Sequence, residues 1–188
     1  MLDAIELVEY EEVRGESEVP PFADCSEAVL GGTSAWREQL LPGLDAWAAR
    51  LEGSLGVSIV GHQGLAVGDV DGDGLDDLFV CQPGGLPNRL FVQNDDGTTT
   101  ELSREAGLDH LDMTRSALVL DFDGDGDQDL CLAMDPRLVF FANQGNARFV
   151  RAAVLDAPSV TSLAAADFDL DGDLDVYACG YMLPDRKE

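Results

Sequence analysis

The chain has 188 residues, of which 45% are hydrophobic and 26% are charged, an ordinary composition for one globular domain or for a small domain with an appendage. Its 37 acidic residues outnumber 11 Lys and Arg and give a net charge of −26. Nucleic acids and anionic membrane surfaces are therefore poor partners, and cations or basic surfaces are better ones. No run of 18 apolar residues is present, so we predict no membrane span.

Residues 1–53 form the first of two predicted parts, an acidic N-terminal segment that becomes helical. Residues 1–33 lack a clear pattern, and the sequence shows no secretory signal, which fits either a cytosolic protein or a mature or trimmed chain. Ser34 is the predicted N-cap of a helix, and Pro42-Gly43 divides this helix into two short ones or bends it. Its apolar face carries Trp36, Leu40, Leu44, Trp47 and Leu51. We expect both tryptophans to be packing anchors.

Residues 54–188 form the second predicted part, in which the acidic pattern D-x-D-x-D-G-x-x-D occurs three times. The copies begin at Asp69, Asp121 and Asp167, so the spacings are 52 and 46 residues. Carboxylates packed this densely repel one another unless a cation lies between them. A hard cation with six to eight oxygen ligands suits such a loop, and calcium fits best. The sequence therefore predicts about three calcium ions.

Each loop offers a predicted set of oxygen ligands. Positions 1, 3, 5 and 9 supply carboxylates, position 7 supplies a backbone carbonyl, and the glycine at position 6 permits a positive φ. The predicted carboxylate ligands are Asp69, Asp71, Asp73 and Asp77 in the first loop, Asp121, Asp123, Asp125 and Asp129 in the second, and Asp167, Asp169, Asp171 and Asp175 in the third. The predicted carbonyl ligands are Leu75, Asp127 and Asp173.

An EF-hand and a solvated acidic turn without metal are the two alternatives to this type of calcium loop. An EF-hand requires a bidentate Glu at position 12, but that position holds Val80, Leu132 and Ala178, and strand-like runs flank each loop. The pattern is therefore not that of an EF-hand. A solvated acidic turn without metal would explain a single copy, but three copies with matched glycines disfavour it.

Short apolar runs on both sides of the loops predict strands. Leu65–Gly68, residues 117–120 and residues 163–166 lead into the loops, and residues 78–81, 130–133 and 176–179 lead out. Further strands are predicted at residues 57–60, 89–94, 98–102, 138–143 and 147–152. Four strands in about 40–50 residues are typical of a β-propeller blade. These runs are apolar on both faces, so we expect them to be buried between stacked sheets.

The predicted fold is mainly β, a partial β-propeller of about two to three four-stranded antiparallel blades preceded by a short helical segment. Residue 188 follows soon after the third loop. This indicates either a piece of a longer protein or an open arc whose exposed edge must be covered, with the helical segment as a candidate cover. Cys25, Cys81, Cys131 and Cys179 form no C-x-x-C pair. For the last three, which lie in the strand-like runs, we predict small buried core residues, with disulfides between repeats as the alternative.

A resemblance to a known family is carried by four strings besides the loops. They are Asp77-Leu78-Phe79-Val80, Pro87-Asn88-Arg89-Leu90-Phe91, Asn94-Asp95-Asp96-Gly97-Thr98 and Glu105-Ala106-Gly107-Leu108. Residues 56–182 resemble the FG-GAP/VCBS calcium-binding propeller repeats of integrin α chains, and more closely those of bacterial VCBS and cartilage acidic protein-type (ASPIC/UnbV) proteins. The Phe-Gly…Gly-Ala-Pro string and the ASPIC/UnbV C-terminal region are not evident in the sequence. The resemblance implies a seven-bladed propeller, an extracellular or periplasmic location and a scaffold or adhesion role with a protein or glycan partner.

The sequence does not predict an enzyme. No nucleophile, metalloprotease or phosphate-binding motif surrounds His62 or His110, for which we expect structural or surface roles. A glycosidase-like pair of carboxylates stays open as an alternative. The leading hypothesis is a non-catalytic calcium-stabilised scaffold or protein-binding module. The alternatives are a carbohydrate-binding module, which the lack of Trp beside Tyr177 and Tyr181 disfavours, and the non-catalytic part of a larger secreted enzyme.

Overall fold

Three antiparallel sheets follow one another along the chain in the computed structural model, which describes residues 22–50 and 63–180. The first sheet contains β1 (Leu65–Gly68), β2 (Asp77–Val80), β3 (Arg89–Gln93) and β4 (Thr99–Glu101) in sequential order. The second contains β5 (Thr114–Leu120), β6 (Asp129–Met134), β7 (Arg137–Asn143) and β8 (Phe149–Asp156), again in sequential order. The third is the hairpin of β9 (Val160–Ala166) and β10 (Asp175–Gly180). The predicted mainly-β fold with four-stranded antiparallel units is confirmed.

Some predictions fall on parts of the chain outside the described residues. These are the strand at residues 57–60, Leu51, His62, Tyr181 and the boundary between residues 53 and 54. The division into an N-terminal segment and a repeat region therefore stays a prediction.

The first two sheets stack through a shared apolar core. Alternate side chains of a strand point to opposite faces, so Phe79 and Leu90 of the first sheet face the second, and Leu132 and Phe141 face back. All four are at most 3% exposed. Burying each such side chain stabilises the fold by about 1.5–3 kcal/mol. The opposite face of the second sheet packs against β9, so every residue of β6 is buried, as its continuous apolar run predicts.

The third sheet departs from the prediction of buried strands. Val160 and Leu163 of β9 pack against the second sheet through Cys131 and Leu138. The other face of the hairpin is open, and Tyr177 is 72% exposed. In the second repeat the position of Tyr177 is taken by Cys131, which is fully buried. The difference arises because no described element covers the outer face of the β9–β10 hairpin.

Short helices cover the first sheet on the side away from the second. They are α1 (Ser26–Leu30), a π-helical turn at Trp36–Leu40 and α2 (Gly43–Ala48), so the predicted division at Pro42-Gly43 is confirmed. The predicted N-cap is wrong, because Thr33 rather than Ser34 accepts the N–H of Trp36 with its Oγ1 at 3.2 Å. In the part of the chain that the structure describes, no helix has the length and apolar character needed to cross a membrane.

The helical segment packs against the first sheet in the same way that the first sheet packs against the second. Leu30, Ala35, Trp36 and Leu40 pack against Leu78, Val80 and Phe91 of the first sheet. The equivalent residues of the second sheet, Leu130, Leu132 and Phe141, pack against the first sheet. The helices therefore cover a face of the first sheet and not its edge. Trp36 is a packing anchor as predicted, and Trp47 donates its indole N–H to the carbonyl of Gln39 at 2.8 Å.

Candidate metal centre

Each acidic loop is the tip of a β-hairpin. The three loops join β1 to β2, β5 to β6 and β9 to β10, and all three strand pairs are antiparallel. Position 12 of each loop lies in the outgoing strand of the hairpin, as Val80 in β2, Leu132 in β6 and Ala178 in β10. The flanking elements are therefore strands, which excludes the helix–loop–helix geometry of an EF-hand.

Carboxylates at positions 1, 3 and 9 converge in every loop. One oxygen from each of the three side chains lies within 4.8 Å of the other two. The triads are Asp69, Asp71 and Asp77 in the first loop, Asp121, Asp123 and Asp129 in the second, and Asp167, Asp169 and Asp175 in the third. The loops thus bring together nine of the twelve predicted carboxylates, in the same arrangement in each repeat.

The carboxylates at position 5 do not belong to these triads. Asp73, Asp125 and Asp171 each accept the N–H of the residue at position 7, at 2.8, 2.9 and 3.0 Å. These bonds form turns that hold the residues whose carbonyls are predicted as ligands, Leu75, Asp127 and Asp173. Both sets of ligands stay predictions, because no contact of the structure tests them.

Position 1 organises the turn through backbone N–H groups. Asp69 accepts Gly72 N at 2.8 Å with Oδ1 and Gly74 N at 2.8 Å with Oδ2. Asp121 repeats this pattern with Gly124 at 2.7 Å and Gly126 at 3.1 Å. The loop therefore curls around its first carboxylate, which fixes the orientation of both oxygens.

Position 9 connects the loop to the rest of its sheet. Asp77, which is 1% exposed, accepts Val70 N at 2.8 Å with Oδ2 and Gln93 N of β3 at 2.9 Å with Oδ1. Asp129 is equally buried and accepts Phe122 N at 3.0 Å and Asn143 N at 2.7 Å. Asp175 accepts Phe168 N at 2.9 Å but is exposed. A buried carboxylate therefore links the loop to its own sheet in the first two repeats.

Two backbone positions of each loop have a positive φ. The predicted position 6 is confirmed, with φ of 89° at Gly74, 97° at Gly126 and 100° at Gly172. Position 4 also lies in the left-handed region, where the first two loops have glycine and the third has Leu170 at φ 63°. A side chain with a Cβ is strained there. The sequence pattern did not reveal this strain, because position 4 is not fixed by the motif.

The electrostatics of the loops favour a bound cation. Burial raises the pKa of Asp77, although the N–H groups of Gln93 and Val70 oppose this shift. Burial, with the charges of Asp73 and Asp69, also raises the pKa of Asp71. Desolvation, followed by the charges of Asp125, Asp129 and Asp121, raises the pKa of Asp123. Each raised pKa means that the folded loop disfavours the ionised carboxylate, a cost that a cation would offset.

The donor chemistry fits calcium. All converging groups are carboxylate oxygens, which hard cations prefer, and flexible loop geometry suits the variable coordination of calcium. Nitrogen and sulfur ligands, which zinc prefers, are not part of the three triads. The chain's own residues therefore present calcium-compatible sites in all three described loops.

Asn143 is a functional candidate that the sequence reading missed. It is the last residue of β7, outside the acidic motif, but its side chain donates to the carbonyl of Val70 in the first loop at 2.7 Å. A comparison of the repeats indicates this role only weakly, because the residue at the equivalent position of the first repeat is Gln93 and not a second Asn. The two repeats align only approximately in this region.

The histidine and cysteine residues lie apart from the triads. The ring of His110 packs against Phe141, with the ring centroids 5.3 Å apart, which supports the predicted structural role. All four cysteines are free thiols. Cys81 and Cys131 are buried as predicted, whereas Cys179 is exposed on the open third hairpin.

Comparison with known proteins gives two findings. The sequence model of the FG-GAP-like repeat matches residues 69–132 and residues 121–178, so the two matches together extend over all three acidic loops. The chain is also 30% identical over 125 residues to cartilage acidic protein 1 of Xenopus tropicalis. That alignment covers 62% of this chain and 19% of the relative, so the chain spans about a fifth of the length of the relative it matches.

Proposed function

Because the chain belongs to the FG-GAP-like repeat family, we propose that it is a calcium-binding, non-catalytic repeat segment of β-propeller type. Its role is that of an extracellular or cell-surface scaffold or protein-interaction module. The observation that carries this proposal is the recurrence of one carboxylate triad, within 4.8 Å, at equivalent hairpins of three repeats.

Calcium would act here as a structural ion. In the first two loops the position 9 carboxylate is bonded to both the loop and the next strand. A cation on the triad would join these elements and remove the repulsion between the carboxylates. Binding to the folded state alone adds RT ln(1 + [L]/Kd) to stability, about 2.7 kcal/mol per site at a hundredfold excess over Kd.

A thermal unfolding experiment tests the proposal. The full chain is treated with EDTA and then melted with and without millimolar calcium, and its metal content is measured after dialysis. We expect the melting temperature to rise with calcium. In the variant Asp71→Asn/Asp123→Asn/Asp169→Asn, which removes one triad carboxylate from every loop, the rise should disappear.

A matched control separates ligand loss from charge loss. Asp76→Asn removes one charge next to Asp77 at an exposed position outside the triad, so its calcium response should equal that of the unmutated chain. A melting temperature that is the same in calcium and in EDTA would overturn the proposal.

A carbohydrate-binding role is the second candidate. Tyr177 and Phe168 are 72% and 88% exposed beside the third loop, as sugar-stacking aromatic rings often are. However, the equivalents of these residues, Cys131 and Phe122, belong to the cluster between the second sheet and β9. Their exposure is therefore better explained as an uncovered packing face. A glycan array with the calcium-treated protein distinguishes the two, and we expect no binding.

The remaining alternative is the non-catalytic part of a larger secreted enzyme. The chain spans about a fifth of its relative, so the whole protein's activity is a separate matter from the role of this segment. The scaffold proposal for the segment holds in either context, and sequencing of the complete reading frame distinguishes the two contexts.

A further inference from the structure

We propose that Asn143 is a positioning residue of the first calcium site, although it belongs to the second repeat and carries no charge. Through Asn143 the first and second sites are also energetically coupled. This inference rests on the proposed calcium function and adds to it a named residue and a pairwise dependence between two of the three sites.

The contact to the first loop is direct and buried. Asn143 is 1% exposed, and its Nδ2 donates to the carbonyl of Val70 at 2.7 Å and to that of Gln128 at 2.9 Å. A second donor from the same turn, Ala147 N, reaches the Val70 carbonyl at 3.1 Å. Val70 is position 2 of the first loop, between the triad residues Asp69 and Asp71. The second repeat therefore holds the backbone that carries two carboxylates of the first site.

The same residue is bonded to the second site. The backbone N–H of Asn143 donates to Oδ1 of Asp129, a triad carboxylate, at 2.7 Å. On the other side, Val70 N donates to Oδ2 of Asp77 at 2.8 Å. An unbroken series of bonds thus runs from Asp129 through Asn143 and Val70 to Asp77. Its two ends are the position 9 carboxylates of two adjacent sites.

These bonds have a consequence for affinity. Without a cation the carboxylates of the first loop repel one another, so the loop binds calcium well only if its backbone is already held in the binding geometry. Partners that orient metal ligands from outside the coordination shell typically change affinity by about 10–100-fold. A cation on Asp129 orders Asn143, which lowers the ordering cost at the first site, and the coupling is reciprocal.

The second and third loops lack this connection in the described part of the chain. The residue equivalent to Val70 in the second loop is Phe122, and no described residue of the third hairpin takes the place that Asn143 has at Val70.

Calorimetric titration of the full chain with calcium tests the role of Asn143. The background Asp123→Asn/Asp169→Asn leaves only the first site intact. In that background, Asn143→Ala should weaken calcium binding about tenfold or more. The control is Asn88→Ala, which removes an equally buried amide that bonds to Gln82 N at 2.9 Å and Thr114 Oγ1 at 2.8 Å, away from every acidic loop. It should lower stability but leave the Kd unchanged.

A second measurement leaves Asn143 intact, which keeps the test valid if Asn143→Ala does not fold. The first-site affinity is compared between Asp169→Asn, in which the second site is present, and Asp123→Asn/Asp169→Asn. Tighter first-site binding with the second site present supports the coupling, and equal affinities overturn it.

The outcomes separate this inference from the proposed function. If the unmutated chain takes up no calcium, both fail. If it binds calcium but Asn143→Ala has the same Kd as Asn88→Ala, only the positioning role of Asn143 is wrong.

Discussion

The guanidinium of Arg89 donates two hydrogen bonds to Oε1 of Gln39, from Nε at 2.8 Å and from Nη2 at 2.6 Å. Gln39 is 6% exposed, and its Nε2 donates to the carbonyl of Pro87 at 2.8 Å. Arg89 also pairs with Glu101 at 3.3 Å. One side chain of the helical segment is thus bonded through both of its polar atoms to the first sheet and the residues that lead into it.

The first prediction concerns this attachment. Gln39→Ala leaves the carbonyl of Pro87 and part of the Arg89 guanidinium without their partner, so the free energy of unfolding should fall by about 1–3 kcal/mol. Both tryptophans, Trp36 and Trp47, lie in the helical segment, so their fluorescence reports on its attachment. The control Glu38→Ala changes an exposed neighbour and should have little effect. Equal unfolding curves for the two variants would contradict the assigned role.

The second prediction concerns the buried carboxylate Asp77. An amide at this position accepts one hydrogen bond and turns a donor toward the second N–H, so Asp77→Asn cannot satisfy both Val70 and Gln93. Even in EDTA, the free energy of unfolding should fall by about 1–3 kcal/mol. Asp76→Asn makes the same charge change at an exposed position and should be nearly neutral. Denaturant unfolding of both variants in EDTA measures the difference, and a neutral Asp77→Asn would refute the structural role.

The third prediction concerns the strained backbone at Leu170. Its φ of 63° costs a side chain with a Cβ roughly 1–2 kcal/mol, and its side chain is 85% exposed, so little packing is lost on removal. Leu170→Gly should therefore stabilise the β9–β10 hairpin by up to about 1 kcal/mol after the entropy cost of glycine. Hydrogen exchange of the hairpin amides should slow. Leu174→Gly, in the same loop without a positive φ, should speed exchange instead.

The fourth prediction concerns the reactivity of the cysteines. Burial raises the pKa of both the Cys81 and the Cys131 thiols to about 12, and the thiolate is the reactive form. A thiol reagent at pH 8 should therefore modify Cys25 and Cys179, which are exposed, and should reach the other two only after unfolding. Mass spectrometry of the labelled protein checks this, and rapid labelling of four thiols in the folded chain would contradict it.

The fifth prediction is the pH dependence that follows from the same thiols. Their pKa in the folded chain lies above the ordinary thiol value of 9.0, so their contribution to stability is complete below about pH 9 and is lost as the pH rises toward 12. In this window each thiol lowers the free energy of unfolding by up to about 1.4 kcal/mol per pH unit. The variant Cys81→Ala/Cys131→Ala should show a shallower alkaline decline. Parallel declines would mean that other groups determine it.

The sequence predicted the acidic loops and the strands around them because their chemistry is local. Alternating aspartates with a glycine at position 6 define a turn, and in the structure positions 1, 3 and 9 lie together whereas position 5, predicted as a ligand with them, lies outside the triads. Flanking apolar runs predicted strands for the same reason. These features depend on a few neighbouring residues, so they can be predicted from a single sequence.

Other features depend on contacts that a single sequence does not contain. The bond from Asn143 to Val70 joins residues 73 positions apart, and it arises from how two sheets stack. The exposure of Tyr177 could not be foreseen either, because its strand is as apolar as β6 and differs only in having no described sheet on its outer face. The positive φ at Leu170 reflects the curl of the loop, which overrides the preference of leucine.

The helical layer over Leu78, Val80 and Phe91 makes the two ends of the stack of sheets different. A stack of sheets presents complementary faces at its two ends, and uncovered ends of this kind can associate head to tail into open chains. In the residues that the structure describes, helices bonded through Gln39 cover one end of the stack, and no described element covers the outer face of β9–β10. A sheet arriving at the closed end would have to displace those helices first. The helices therefore protect this face of the first sheet from packing against another sheet.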